Sequence, residues 1–187
     1  MAAEPRPLRR DAQRNRELLL AAARDVFGEK GLDAPLEEIA RKAGVAIGTL
    51  YNRFPSRTAL IEEIFAEVIE KWAEIGEEAL KFEDAWEGFT HFVERTCEMQ
   101  SVDRGLSEVC VMTFPGVPRI DRAKSQVWEV LGRVIGRAHE EGGLRADFTA
   151  EDLIVAVVST SRVGEFSLGD WRRHLGFLLD GCRVQAP

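Results

Sequence analysis

IARKAGVAIGTLYNRFPS, residues Ile39–Ser56, holds two short apolar stripes with a glycine between them. Ile39, Ala40 and Ala43 fall at helical spacing, and so do Leu50 and Phe54, so each group marks the buried face of a short helix. Gly44 stands where the chain must turn sharply, and glycine takes a positive φ there at little cost. Two short helices joined by a tight, glycine-containing turn form a helix-turn-helix. The remaining faces of the second helix carry Ala46, Ile47, Thr49, Tyr51, Asn52 and Arg53. These small, hydroxylic, amide and cationic groups suit the phosphates and base edges of a major groove. Leu50 and Phe54 belong to the core.

Outward from this unit the pattern stays helical. Upstream, Leu19, Ala22, Ala23, Val26 and Phe27 make a stripe that predicts a helix over 11–30, ended by Gly31. MAAEPRPLRR, residues 1–10, has no apolar periodicity and reads as a flexible basic arm. Its Arg6, Arg9 and Arg10 either reach DNA or remain a solvated tail. Pro35 suits the first position of the next helix, with Glu37 and Glu38 near the positive end of its dipole. Downstream, Ser56 is a good N-cap for a helix over 57–82 with a buried stripe of Leu60, Ile61, Ile64, Phe65, Val68, Ile69 and Trp72. A helix of that length can link two domains rigidly.

The run from Arg16 to Leu60, containing LLLAAARDVFGEKGLDAPLEEIARKAGVAIGTLYNRFPSRTAL, resembles the N-terminal domain of TetR-family transcriptional regulators. By that resemblance Thr49, Tyr51 and Arg57 are phosphate contacts, and Arg16 matches a phosphate-facing basic position. Ala46, Ile47 and Asn52 are placed for base edges, Gly48 lets the backbone approach the duplex, and Arg53 serves either role. Pro35 departs from the family pattern, which has a hydroxyl residue near this helix start, so one usual phosphate anchor is missing. The closing run WRRHLGFLLDGCR is similar to the last helix of one subgroup, the SbtR-like regulators.

The second half reads as further helices over about 84–100, 105–113, 119–141, 153–160 and 171–181, with capping boxes at Thr149/Asp152 and Ser167/Asp170. The expected fold is all-α: a flexible basic arm (1–10), a three-helix helix-turn-helix domain (11–58) and a helical effector-binding and dimerisation domain (59–187). Family resemblance implies a cavity in the latter. Its apolar candidates are Trp86, Phe89, Phe92, Val93, Thr96, Cys97, Met112, Phe114, Trp128, Leu131 and Ile135. His91, Gln100 and Arg133 are further polar candidates beside Thr96. Filling an ordinary core is the competing use of the same residues. Leu153, Ile154, Ala156, Val157 and Val158 cover most of one helix, and Trp171, Leu175, Leu178, Leu179 and Cys182 continue on the next. Helices apolar on several sides need several partners, and a twofold four-helix interface with a second copy supplies them. Leu153, Val157, Trp171, Leu175, Leu178 and Leu179 are its candidates.

Net charge is −7, yet residues 1–60 hold 11 Lys/Arg against 8 Asp/Glu while the remainder holds 14 against 24. A basic contact surface carried by an acidic body fits that asymmetry. Three cysteines at irregular spacing make no disulfide framework and suit a reduced, cytoplasmic interior. The N-terminus lacks a signal-peptide core. His91, His139 and His174 never fall at metal-ligand spacing, and neither a C-x-x-C pair nor a glycine-rich phosphate loop occurs. The sequence therefore points away from an enzyme and implies no metal or cofactor. The expectation is a ligand-responsive regulator: a homodimer on a palindromic DNA operator, most simply a repressor released by a small apolar effector. The alternative is a helical protein-interaction module that has lost DNA binding.

Overall fold

The computed structural model describes residues 6–101, 103–114, 116–165 and 169–184, and nine helices form among them. In order they are α1 (Arg6–Lys30), α2 (Leu36–Lys42), α3 (Ile47–Arg53), α4 (Arg57–Ala79), α5 (Ala85–Gln100), α6 (Arg104–Val111), α7 (Pro118–Glu140), α8 (Ala150–Glu165) and α9 (Trp171–Cys182). Leu144 and Arg183 meet in an isolated antiparallel bridge, but no strand forms among the described residues. None of the described helices is long and apolar enough to cross a membrane.

The turn after α2 follows from its glycine. Gly44 sits at φ 70°, with Gly44 N–H donating to Arg41 O at 3.1 Å and Val45 N–H to Ala40 O at 3.0 Å. This paired closure satisfies carbonyls that the helix end would otherwise orphan. α3 then buries Leu50 in the same apolar cluster as Leu19, Ala23 and Phe27 of α1, all fully buried. Ser56 caps α4 as expected, accepting from Ala59 N–H at 3.1 Å. Two boundaries differ from expectation. α1 begins at Arg6 rather than Asp11, so the second half of the expected arm is helical; residues 1–5, and the side chains of Arg6, Arg9 and Arg10, lie outside the described residues. Pro35 is the extended N-cap of α2, at φ −61° and ψ 132°, rather than its first helical residue.

α4 has 23 residues, about 34 Å at 1.5 Å each. One continuous apolar cluster lies along it, reaching from Leu19 to Leu175, so the core does not break at the predicted boundary. Phe27 of α1 lies against Phe65 of α4 with ring centroids 6.5 Å apart. On its other side α4 packs along α7. Arg119 pairs with Glu70 at 3.2 Å, Arg133 pairs with Glu77, and a Cβ on Gly76 would meet Val130 at 2.6 Å. Arg137 then fastens the far end, donating to Leu80 O at 2.9 Å and Glu83 O at 2.8 Å.

Asp84, Asp103 and Asp170 cap α5, α6 and α9 with carboxylates on backbone N–H groups. The Thr149/Asp152 box forms in both directions: Asp152 N–H on Thr149 Oγ1 at 3.2 Å, Thr149 N–H on Asp152 Oδ2 at 2.9 Å. At α9 the capping group is Asp170, which reaches Arg172 N–H at 2.9 Å; Ser167, the expected cap, lies outside the described residues. α7 ends as α2 does, with Gly142 at φ 73° and N–H groups of Gly142 and Gly143 returned to His139 O and Ala138 O.

Candidate nucleic-acid interface and internal cavity

α3 presents a bare outer face. Ala46, Gly48, Tyr51, Asn52 and Arg53 are exposed, Tyr51 by 48%, while Ile47 and Thr49 are half-buried. A Cβ on Gly48 would meet nothing within 4 Å, so another molecule's backbone can come close there. Beneath, Leu50 and Phe54 are buried and fix the orientation of α3.

The loop between α1 and α2 is gripped from two sides. Glu108 on α6 accepts the Leu32 N–H at 2.7 Å, and a Cβ on Gly31 (φ 85°) would lie 2.4 Å from the same carboxylate. Arg57, at the start of α4, donates one Nη1 to Leu32 O and Ala34 O, both at 2.6 Å. Arg16 forms an ion pair with Glu63 and lies 5.9 Å from the Phe54 ring centroid.

A cavity of about 80 Å³ opens in the body. Its walls are Ile69 and Trp72 of α4, Phe92, Thr96 and Gln100 of α5, and Cys110 of α6. α7 adds Lys124, Val127, Trp128 and Leu131, and α8 adds Leu153, Ile154, Val157 and Val158. The lining is mostly apolar, as ligand cavities are, and Trp128 is 45% exposed. Its polar groups are few. Thr96 donates to Phe92 O at 2.8 Å, and Gln100 Nε2 donates to Cys110 Sγ at 3.0 Å. Trp72 Nε1 and Gln100 Oε1 are buried without a hydrogen-bond partner among the described residues. Lys124 Nζ donates to Cys110 O at 3.3 Å and to Met112 O. Burial pushes the Cys97 and Cys110 thiols up to about 12, so both stay protonated at neutral pH.

The family model "Bacterial regulatory proteins, tetR family" matches residues 19–64. A solved TetR transcriptional regulator of Streptomyces coelicolor is 30% identical and covers 91% of this chain and 99% of its own, with a TM-score of 0.56. The chain belongs to the TetR family. It is a helix-turn-helix DNA-binding transcriptional regulator. The transcriptional repressor BepR of Brucella suis is 28% identical over 192 residues, 93% of this chain and 90% of the relative. FadR of Bacillus subtilis, solved in complex with stearoyl-CoA, shares the fold at 17% identity and a TM-score of 0.66, over 88% of this chain and 96% of its own.

In this TetR-family chain the candidate residues separate into those the fold leaves free and those it uses internally. Ala46, Gly48, Tyr51, Asn52 and Arg53 share the open face of α3, with Ile47 and Thr49 at its edge. Arg57, expected as a phosphate contact, uses its Nη1 on the α1–α2 loop through two hydrogen bonds. Arg16 is likewise engaged between α1 and α4.

Of the cavity candidates, Phe92, Thr96, Trp128 and Leu131 line it, as does Gln100 among the added polar groups. The others do not. Trp86 and Phe89 instead stack with each other at 5.5 Å, and Phe89 meets Phe148 edge-on at 5.8 Å. Val93, Cys97, Phe114 and Ile135 fill the core, and Met112 is exposed. His91 lies against Phe82, and Arg133 is paired on the surface. Leu153 and Val157, expected at a subunit interface, line the cavity instead, and Leu175 is buried within the chain. Sequence reasoning missed Ile69, Trp72, Cys110, Lys124, Val127, Ile154 and Val158 as lining residues. Ile69 and Trp72 gave the same stripe signal as ordinary core positions, and Lys124 gave none.

Proposed function

We propose that this regulator is a ligand-responsive repressor acting as a homodimer, with an effector in the cavity lowering its affinity for a palindromic operator. The reading is carried by one observation: Cys110, in the cavity wall, and Glu108, which holds Leu32 N–H, lie two residues apart on the short helix α6. An occupant that displaces Cys110 therefore displaces the grip on the α1–α2 loop. α4 offers a second route, from Trp72 in the wall to Arg57 on the same loop. A ligand that prefers the displaced conformer shifts the population toward it, and two reading helices then miss the half-site spacing.

Residues 11–58 would be the reading unit, and 59–187 the effector and dimer half. Ala46, Ile47, Gly48, Thr49, Tyr51, Asn52 and Arg53 would contact DNA. α8 and α9 would form the twofold contact through the side turned away from the cavity, where Val155 is 68% exposed and Phe177 62% exposed. Half-buried Trp171, Leu178 and Leu179 would flank them.

Selection of genomic fragments by the purified protein at one fixed salt concentration tests this. Enrichment of an imperfect palindrome, bound by two chains, is the expected result. A folded protein freed of co-purified ligand that enriches nothing overturns it in favour of the interaction module. Transcription from the selected operator in vitro should fall when the protein is added; a rise overturns the repressor assignment.

A further inference from the structure

We propose that the effector of this cavity is a compact amphipathic acid: an apolar ring or branched body with one carboxylate, seated on Lys124 and Trp72, and one donor group turned to Gln100. This names a ligand class for the cavity and rests on the ligand-responsive reading above.

Lys124 carries the argument. Its Nζ is held by two backbone carbonyls, Cys110 O and Met112 O, and lies 5.5 Å from the Phe114 ring centroid. Among the described residues no carboxylate stands within ion-pair distance, although most Arg and Lys side chains elsewhere in the body have one. A half-buried ammonium on the wall of an apolar cavity, which feels the Asp121 carboxylate on its own helix but forms no ion pair with it, is a poor neighbour for a cationic ligand and a better one for an anion. Burial pulls the Lys124 pKa below its usual value, which an arriving carboxylate would reverse.

Two buried neighbours complete the polar end. Trp72 and Gln100 are each only 4% exposed, and each leaves one polar atom unsatisfied: an indole donor and an amide acceptor. Gln100 is tied to Lys124 through Cys110, whose Sγ takes the amide and whose carbonyl takes the ammonium. Trp72 lies on α4 between Glu70, which pairs with Arg119, and Gly76, which meets Val130, so it faces the stretch of α7 from Arg119 to Val130 that carries Lys124. Three residues of one cavity wall thus carry two donors and one acceptor, a match for a carboxylate plus a single hydroxyl or amide donor. Phe92, Trp128, Leu131 and Val157 supply the apolar remainder. At about 80 Å³ the cavity is smaller than the ~150 Å³ that accommodates a benzene ring, so a compact acid must widen it and an extended chain would have to widen it further.

The test uses the full-length protein and its own tryptophan fluorescence, since Trp72 and Trp128 both line the cavity. The probes are benzoate, 4-hydroxybenzoate and cyclohexanecarboxylate, against benzyl alcohol and benzylamine as neutral and cationic counterparts. The acids should bind about tenfold or more tighter than the alcohol, 4-hydroxybenzoate tightest, and benzylamine weakest. Lys124→Met should erase the preference for acids, Lys124→Arg should keep it, and Trp72→Phe should weaken acid binding several-fold while preserving the ring. Equal binding of acid and alcohol, a preference that survives Lys124→Met, or no acid binding at millimolar concentration overturns the proposal. Operator release, read on the same mixtures, separates the two readings. Acid binding without release overturns ligand responsiveness and leaves the acid site standing, whereas release by the alcohol alone does the reverse.

Discussion

Around Leu50 the three N-terminal helices close on one another, with Leu19, Ala23, Phe27, Ile39 and Leu50 all fully buried. Around Trp72, α4, α5, α6, α7 and α8 stop short of closing and leave a cavity of about 80 Å³ with two orphaned polar atoms at its edge. The same chain thus builds one half with a filled core and the other with a hole. A filled core has a single arrangement and moves as a body. Packing left incomplete is where a second arrangement, stabilised by an occupant, can exist. In the proposed mechanism the reading unit is the part to be moved and the body the part that can be changed.

The largest effect expected from breaking this contrast lies on the open face of α3. Tyr51→Ala with Arg53→Ala should lower operator affinity by about 100-fold or more, since two contacts are removed from each half-site at about 1–3 kcal/mol each. Thermal stability should hardly change, because both side chains are exposed. Fluorescence anisotropy on a labelled operator, repeated over a salt series, checks both the loss and a shallower salt slope. An unchanged affinity would place the interface elsewhere.

Next in size is a packing comparison. Ala23→Leu adds bulk to the closed N-terminal core and should destabilise by about 1–3 kcal/mol. Val157→Leu adds a methylene beside the cavity and should cost less than about 1 kcal/mol. Urea midpoints of the two variants decide; equal losses would mean that the body is as tightly filled as the reading unit.

A third variant sits on the joint between the halves. Arg57→Met removes the two bonds that hold Leu32 O and Ala34 O. It should lower stability by about 1–2 kcal/mol, with operator affinity falling only as far as the loop loosens. Loss of DNA affinity with unchanged stability would return Arg57 to a phosphate-contact role.

What the sequence made legible follows the same division. The reading unit is specified by local signals: stripes at Leu19–Phe27 and Leu50–Phe54, a glycine at the αL position of residue 44, and a serine cap at 56. Each determinant lies within a few residues of the structure it makes. The cavity has no such signal, because it is the space that side chains of five helices leave unfilled. Phe92, Thr96, Trp128 and Leu131 line it, but nothing local distinguishes them from Phe89, which found Trp86 and Phe148 as partners. Leu153 and Val157 lie on an α8 apolar on several sides, and which side turns inward depends on α5 and α7. Long cations are the least legible. Arg16 and Arg57 have the residue type for phosphate, yet the direction of a guanidinium is set by carbonyls and carboxylates distant in sequence.

The smallest effect separates the halves by chemistry. All three cysteines lie in the body, none before residue 97. Burial raises the Cys97 and Cys110 thiols from an ordinary value near 9 to about 12. Between those values the unfolded chain has released protons that the folded chain still holds, so stability falls as pH rises through that window. Lys124 works the other way: its lowered pKa means the folded chain gives up a proton that the unfolded chain keeps, so its contribution rises with pH below the ordinary lysine value. Burial raises the Cys182 thiol as well, and three thiols against one ammonium leave a net alkaline weakness. Cys97→Ala should flatten the decline by up to one proton, about 1.4 kcal/mol per pH unit, while lowering stability at neutral pH through the space it opens. Urea unfolding at several pH values from 8 to 11 reads the slope. The N-terminal unit holds no thiol; its alkaline group with a raised pKa is the surface Lys42, held by Asp25, so the buried thiols should make alkali loosen the body first. If the variant and the parent lose stability along parallel lines, Cys97 is not the group that makes the body alkali-sensitive.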